Sequence, residues 1–287
     1  MVVLVIGASG FIGKYLLASL KNKGLDVLGT STIGNEELIK LDVTNKDDFD
    51  KLPKDIGTVF HLGSFIPLND TVENAEKCLN VNGKGLLNVL EFCRKRDVKL
   101  VNSSSASVYG SSVNFPIQEN DLLEPNGYYG VSKLIGERYC EIFKNKYGLR
   151  CISLRYSSVY GKGQNENTVL PFFIKTVRAG ESLKLFQEGK RFQDFVYVKD
   201  VVNTNILALN SRKTGIYNIG SGKSTSMIEL ANLIIKKFSD SNLKVSLDMD
   251  KKDLSPSMLL NIEKAKEELG YKVNYNLEKG LEDYKNG

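Results

Sequence analysis

Tyr129 and Lys133 stand four residues apart in the stretch YYGVSKL, residues 128–134. On a helix that spacing is just over one turn, so phenol and ammonium project from one face and can act on one substrate atom. A phenol is too weak an acid to exchange protons readily at neutral pH. A cation held against its base lowers its pKa, and a positively charged ring nearby lowers it further. Thirteen tyrosines make a lone Y-x-x-x-K weak evidence, and its force here comes from two stretches that precede it in the chain.

The chain opens MVVLVI, a continuous apolar run expected of a strand buried on both faces of a parallel sheet. It breaks at once into GASGFIG, residues 7–13, and then into a helical pattern with Ile12, Leu16, Leu17 and Leu20 on one side. Strand, glycine turn and helix make the first half of a dinucleotide-binding βαβ unit. Gly7, Gly10 and Gly13 permit a tight turn and close backbone approach, and the helix N-terminus faces a pyrophosphate. The alternative is an ordinary glycine-rich turn, which the position after the first strand argues against. The second stretch, KLVNSSS at 99–105, is an apolar strand ending in Ser103, Ser104 and Ser105. In open α/β sheets ligands sit at the carboxyl ends of strands, so these hydroxyls face the cofactor crevice. Taken alone, they are more simply a serine-rich loop satisfying its own backbone.

Strands expected to end near Thr30, Leu41, His61, Ser103 and Arg155 alternate with helices, the long ones over about 72–96 and 128–147. This order predicts an α/β fold with a Rossmann-type, doubly wound parallel sheet. With 287 residues the chain can bury a large core. Its net charge of +5 is spread without a basic tract, which argues against a nucleic-acid or membrane partner. Cys78, Cys93, Cys140 and Cys151 lack C-x-x-C spacing, and with one histidine no metal site is expected. The apolar start is too short for a membrane span, and a cytoplasmic location fits. His61, the single histidine, ends a strand and is read as packing or hydrogen-bonding rather than acid–base.

Beyond these stretches, HLGS at 61–64, NVNG at 80–83, LRY at 154–156, VYG at 159–161, DFVYVKDV at 194–201 and YNIGSG at 217–222 recur in order. With them the chain resembles the extended short-chain dehydrogenase/reductases of the nucleotide-sugar epimerase/dehydratase family over nearly its whole length. The resemblance implies a dinucleotide-binding domain over 1–160 plus about 194–220. A smaller C-terminal substrate-binding domain would take about 161–193 plus 221–287. It also implies a homodimer joined through the helices at 72–96 and 128–147, and a nucleotide sugar as the small-molecule substrate.

The implied chemistry is transient hydride transfer. Tyr129, kept partly ionised by Lys133, takes a proton from a sugar hydroxyl, while Ser105, with Ser104 as second candidate, holds that oxygen. Lys133 also binds the nicotinamide ribose. Cofactor contacts carried over are Gly7, Ser9, Gly10, Phe11, Ile12 and Gly13, then Ser31, Asp42 and Val43. Leu62, Gly63, Ser64, Asn82, Ser103, Tyr129, Lys133 and Tyr156 complete them. An epimerase returns the hydride to the other face of the ketone; a reductase or dehydrogenase of a keto-sugar nucleotide or other small alcohol consumes cofactor. A non-catalytic dinucleotide-binding protein is the third reading, opposed by the intact tyrosine–lysine pair.

Departures from the family pattern narrow these readings. Dehydratases carry an acid after the catalytic serine or threonine, where this chain has Ala106 and Ser107; without an acid for the leaving hydroxyl, a 4,6-dehydratase is disfavoured. Gln193 replaces the usual phosphate-binding arginine, Ser158 replaces an asparagine, and KDLSPS at 252–257 holds no second arginine. Arg191 either reaches the same phosphates or is a solvated surface charge. Ser31 stands where an acid would mark an NAD enzyme, and no arginine nearby marks NADP, so the sequence leaves NAD or NADP open. Asp42 either contacts adenine or caps the helix that follows.

Overall fold

All five residues of the opening strand, β1 (Val2–Ile6), are buried, because helices cover both faces of the sheet it lies in. The structure is a computed structural model that describes every residue except Val113, Asp240, Ser241, Lys252, Leu254 and Gly287. From β1 the chain passes through α1 (Phe11–Asn22) to β2 (Val27–Ser31), β3 (Leu38–Lys40) and β4 (Ile56–His61). Next come α2 (Val72–Lys77), α3 (Gly85–Arg96), β5 (Lys99–Ser105), α4 (Tyr128–Tyr147) and β6 (Cys151–Tyr156). The remainder runs β7 (Ser158–Tyr160), α5 (Val169–Arg178), β8 (Leu183–Phe186), β9 (Phe192–Tyr197), α6 (Val198–Asn210), β10 (Gly215–Ile219) and β11 (Ser224–Ser226). It closes with α7 (Met227–Phe238), β12 (Val245–Asp248), α8 (Glu263–Leu269) and α9 (Leu277–Asn286).

Seven strands form the large sheet in the order β3-β2-β1-β4-β5-β6-β10, and every pairing in it is parallel. The order reverses between β1 and β4, which puts the topological switch point, where such sheets bind ligands, at the carboxyl ends of those strands. Leu16, Leu17 and Leu20 of α1 share one core with Val201, Val202 and Ala208 of α6. On the other face Leu86, Val89 and Leu90 of α3 pack with Cys140 and Phe143 of α4. A third core joins α5, α7, β8 and β9, beside a sheet ordered β11-β9-β7 and the pair β12-β8.

The helix expected over 72–96 is present but not uniform: α2 and α3 are joined by a π-helical stretch over Cys78–Lys84. Such wide turns recur at functional sites, and this one carries Asn82, whose side chain is buried. Cys78 and Cys93 are buried in the same segment, as packing residues are. Two buried carboxylates, one on β9 and one on α6, hold later segments of the chain in place. Asp194 accepts from the backbone amides of Ser221 (2.6 Å), Gly222 (3.2 Å) and Leu260 (3.3 Å). Asp200 accepts from those of Asn274 (3.1 Å) and Tyr275 (2.9 Å). Burial pushes both carboxyls above the usual range, opposed by these hydrogen bonds. Among the described residues no helix is long and apolar enough to cross a membrane.

Candidate active site

The glycine turn is built by close approach. Gly7 has φ +82°, and a Cβ there would lie 2.6 Å from the backbone nitrogen of Gly63. A Cβ on Gly13 would lie 2.1 Å from the carbonyl oxygen of Gly7. The turn after β1 thus fits against the turn after β4 and beneath the first turn of α1 with no room for side chains. Ser9 and Gly10 are exposed there, with Phe11 and Ile12 half-buried behind them. Gly10 gives α1 no side-chain cap, and the first turn carries no acid. Its amides and the positive end of the helix are left to an anion, which is the fit a dinucleotide pyrophosphate requires.

Around the rest of the crevice, Ser31 Oγ accepts from the Gly34 amide (2.9 Å). Asp42 Oδ1 accepts from the amide and hydroxyl of Thr44 (2.9 and 2.8 Å). The cap of the following 3-10 turn is Asn45, not Asp42. Val43 is buried, and its carbonyl accepts from Asn88 (2.8 Å). Beyond β4, past half-buried Leu62, the Asn82 carboxamide oxygen accepts from Ser64 Oγ (3.0 Å) and the Phe65 amide (2.8 Å). Its Nδ2 donates to Ser132 Oγ on α4 (2.9 Å). Asn82 therefore fastens the turn after β4 to the helix carrying Tyr129 and Lys133.

Lys133 is buried, and its Nζ donates to the Ser103 carbonyl (2.9 Å), 5.5 Å from the Tyr129 ring centroid. Burial lowers its pKa to about 8, opposed by the charge of Glu137. The expected lowering of the Tyr129 pKa is not what the protein by itself produces. Burial pushes that phenol up to about 12, with hydrogen bonding from Ser64 and Ser105 pulling the other way. The reason is geometric: Lys133 is held at a carbonyl and the ring face, and burial removes the phenolate from water. Ser105 Oγ caps the short turn after β5, accepting from the Ser107 amide (3.2 Å) and hydroxyl (3.0 Å). Tyr129, Gly127, Ser107, Asn126 and Asp70 line a cleft of about 220 Å³. A phenol with serine hydroxyls beside it and an ammonium below can hold an alcohol oxygen and move its proton.

The structure does not bring every candidate to that cleft. Alternation along β5 turns Ser104 to the opposite face from Ser103 and Ser105. Its hydroxyl is buried and donates to Glu137 Oε1 (2.5 Å). The hydroxyl of Tyr156 is engaged with Asn205 of α6 (3.1 Å). Ser158 and Gln193 form a second group, the serine donating to Gln193 Oε1 (2.8 Å) while Gln193 Nε2 donates to the Pro256 carbonyl (2.7 Å). Arg191 is not a solvated charge: it is ion-paired with Asp253 at 2.6 Å, with both side chains 16% exposed. Lys252 and Leu254 of the segment lacking a second arginine lie outside the described residues.

Glu137 went unnoticed in the sequence, although it continues the spacing Tyr129, Lys133, Glu137 along one helix face. It is 1% exposed and grips Arg155 with both oxygens (2.9 and 2.7 Å). Arg155 in turn donates to Tyr109 Oη (2.7 Å), whose hydroxyl donates to Asn218 Oδ1 of β10 (2.6 Å). A cavity of about 910 Å³ lies beyond this pair and is lined by neither Tyr129 nor Lys133. His61 is buried with Nδ1 unpartnered among the described residues. Burial, helped by the Lys133 charge, lowers its pKa to about 3.

Residues 3–220 match the model of the NAD dependent epimerase/dehydratase family. A Methanocaldococcus jannaschii protein named "Putative UDP-glucose 4-epimerase" is 36% identical, over 97% of this chain and 95% of its own. Among solved structures, UDP-glucose 4-epimerase of Thermotoga maritima with UDP-glucose superposes with a TM-score of 0.90 at 29% identity, covering 99% and 97% of the two chains. The UDP-glucose 4-epimerase of Thermus thermophilus in complex with NAD gives 0.86 at 26% identity, again over 99% and 97%.

Two outcomes follow from this geometry. If Tyr129 carries the substrate proton, Tyr129→Phe lowers turnover at least about a hundredfold while cofactor titration gives an unchanged affinity. Near-normal turnover removes Tyr129 from the chemistry. Separately, unfolded His61 takes up a proton below its ordinary pKa of 6.5 that the folded state refuses until about 3. Stability from this residue is therefore present above 6.5 and lost as the pH falls toward 3. The loss reaches about 2 kcal/mol by pH 5. Urea unfolding at pH 7 and pH 5 should show a smaller difference for His61→Leu than for the parent; an equal difference refutes the assignment.

Proposed function

This chain belongs to the NAD-dependent epimerase/dehydratase family, and on that footing we propose that it inverts a carbinol centre, C4, of a uridine diphosphate sugar. The observation that carries the reading is the convergence of Tyr129, Ser105 and Lys133 at the carboxyl end of β5 beside an uncapped, anion-ready α1. Near full-length likeness to UDP-sugar 4-epimerases supports the choice of substrate.

NAD, when bound, supplies a hydride acceptor and a positive charge. Gly7, Ser9, Gly10, Phe11, Ile12 and Gly13 would hold its pyrophosphate, Ser31, Asp42 and Val43 its adenosine end, and Leu62, Gly63 and Ser64 the passage between. Lys133 would hold the nicotinamide ribose, and it presents a cation to the Tyr129 ring. Ser105 donates to the sugar oxygen and fixes it against Tyr129 Oη. Tyr129 takes the hydroxyl proton, then returns it to the same oxygen once the sugar has turned its other face. Because the phenol by itself sits at about 12, its proton leaves readily only when positive charge has entered the cleft.

The lobe formed by 161–193 and 221–287 receives the nucleotide, with Ser158, Gln193 and Arg191 on its near side. Arg191 reaches a phosphate only by sharing or releasing Asp253. Four buried, unpaired cysteines suit a reducing cytoplasm. Exposed Val72, Leu79, Val131 and Ile142 on α2, the π-helical stretch and α4 form the face of a homodimer.

Proton NMR of UDP-glucose and UDP-N-acetylglucosamine, each incubated with enzyme and NAD, tests the reaction. New galacto-configured signals without net cofactor reduction are expected. Accumulating reduced cofactor would make it a dehydrogenase, and unchanged spectra would remove the assigned substrates. Sedimentation equilibrium should return twice the chain mass; a monomer overturns the dimer face.

A further inference from the structure

Between the β10–β11 turn and the connection from α8 to α9 lies a groove of about 780 Å³ that the proposed reaction does not use. Its floor is apolar, with Phe195, Ile262 and Tyr271 buried beneath it. Its walls carry Lys223, Lys266, Lys272 and Lys279, and no Asp or Glu lines it among the described residues. Lys266 is paired with Glu263 (2.7 Å), and Lys279 donates to the Asn274 carbonyl (2.9 Å). Lys223 Nζ and Lys272 Nζ have no partner among the described residues. α9, ten residues long, begins on the same rim, but its positive end is answered by Asn276, whose Oδ1 accepts from the Lys279 amide (2.8 Å), and by Glu278 in its first turn.

Ordinary surface lysines are interspersed with acids that offset them. Glu263 answers Lys266, and the buried carboxylate of Asp200 acts on Lys279, so Lys223 and Lys272 carry the charge left uncompensated, over a low-dielectric floor that sharpens their field. The volume is that of a small-molecule site. Lys223 on the β10–β11 turn and Lys272 on the α8–α9 connection stand on opposite walls, so an anion that meets both has to reach across the groove, as a phosphate chain does. We propose that this groove binds a polyphosphate chain, free or as part of a nucleotide, at a place separate from the catalytic cleft. Phe195 also lines the small pocket behind Ser158 and Gln164, so an occupant would sit against a side chain shared with the substrate lobe. The inference stands apart from the epimerase reading, since nothing in it depends on which sugar is turned over.

Isothermal titration of the full-length protein with inorganic tripolyphosphate tests it. One equivalent should bind, with affinity falling as sodium chloride is raised. Lys223→Ala/Lys272→Ala should weaken it about tenfold or more by removing two charge-assisted contacts. Lys21→Ala/Lys23→Ala, the same charge change on the far end of α1, should leave it unaltered. Absence of binding at millimolar tripolyphosphate overturns the proposal. So does equal affinity in parent and groove variant, or an equal loss in the two variants, which would report net charge alone. Retained NAD affinity in the groove variant shows that the fold is intact. Repeating the titration with ATP separates the sources: tighter binding than tripolyphosphate, lost in the groove variant, assigns a nucleotide whose base covers the floor. Equal binding, likewise lost, assigns the phosphate chain alone.

Discussion

The buried pair of Glu137 and Arg155 is the constraint on which the placement of the site rests. Taking both charges out of water costs several kcal/mol per ion, and their attraction offsets that only when the remaining donors and acceptors are satisfied. Here both carboxylate oxygens are engaged, one also by Ser104, and the guanidinium is completed by Tyr109 and the Glu119 carbonyl (2.9 Å). The bonds fasten α4 to β5 and β6, and through Asn218 to β10. Their geometry leaves little freedom for the helix that carries Tyr129 and Lys133. The same carboxylate favours the charged form of Lys133 against burial. One interaction thus positions the phenol and preserves the cation beneath it.

How much was legible in the sequence depended on whether a feature is local. β1, the glycine turn and α1 are written in contiguous residues, and the helix over 128–147 appears with its expected bounds. The parallel order of the sheet followed from alternation of strands and helices. Ser104 shows the limit. Three adjacent serines look equivalent in a sequence, yet a strand sends alternate side chains to opposite faces, and only the neighbours of Ser104 look toward the crevice side. The Tyr129 pKa was misjudged for a related reason: spacing shows that a lysine is near, but burial depends on everything packed around the ring. Arg191 and Asp253 are 62 residues apart in the chain, and no local pattern announces such a pair.

The C-terminal third is held to the rest of the chain by buried carboxylates as well as by β10 in the large sheet. Asp194 and Asp200 each collect backbone amides from segments far along the chain. The acceptor capacity of these buried carboxylates is met by those amides.

The bare N-terminus of α1 has a thermodynamic consequence. A helix end without a side-chain cap is left to water until an anion occupies it, and an anion that binds only the folded chain adds to its stability by mass action. An enzyme that regenerates its oxidant within each cycle never has to vacate that helix end. A tenant of that kind contributes its binding free energy to the fold in every step of the cycle.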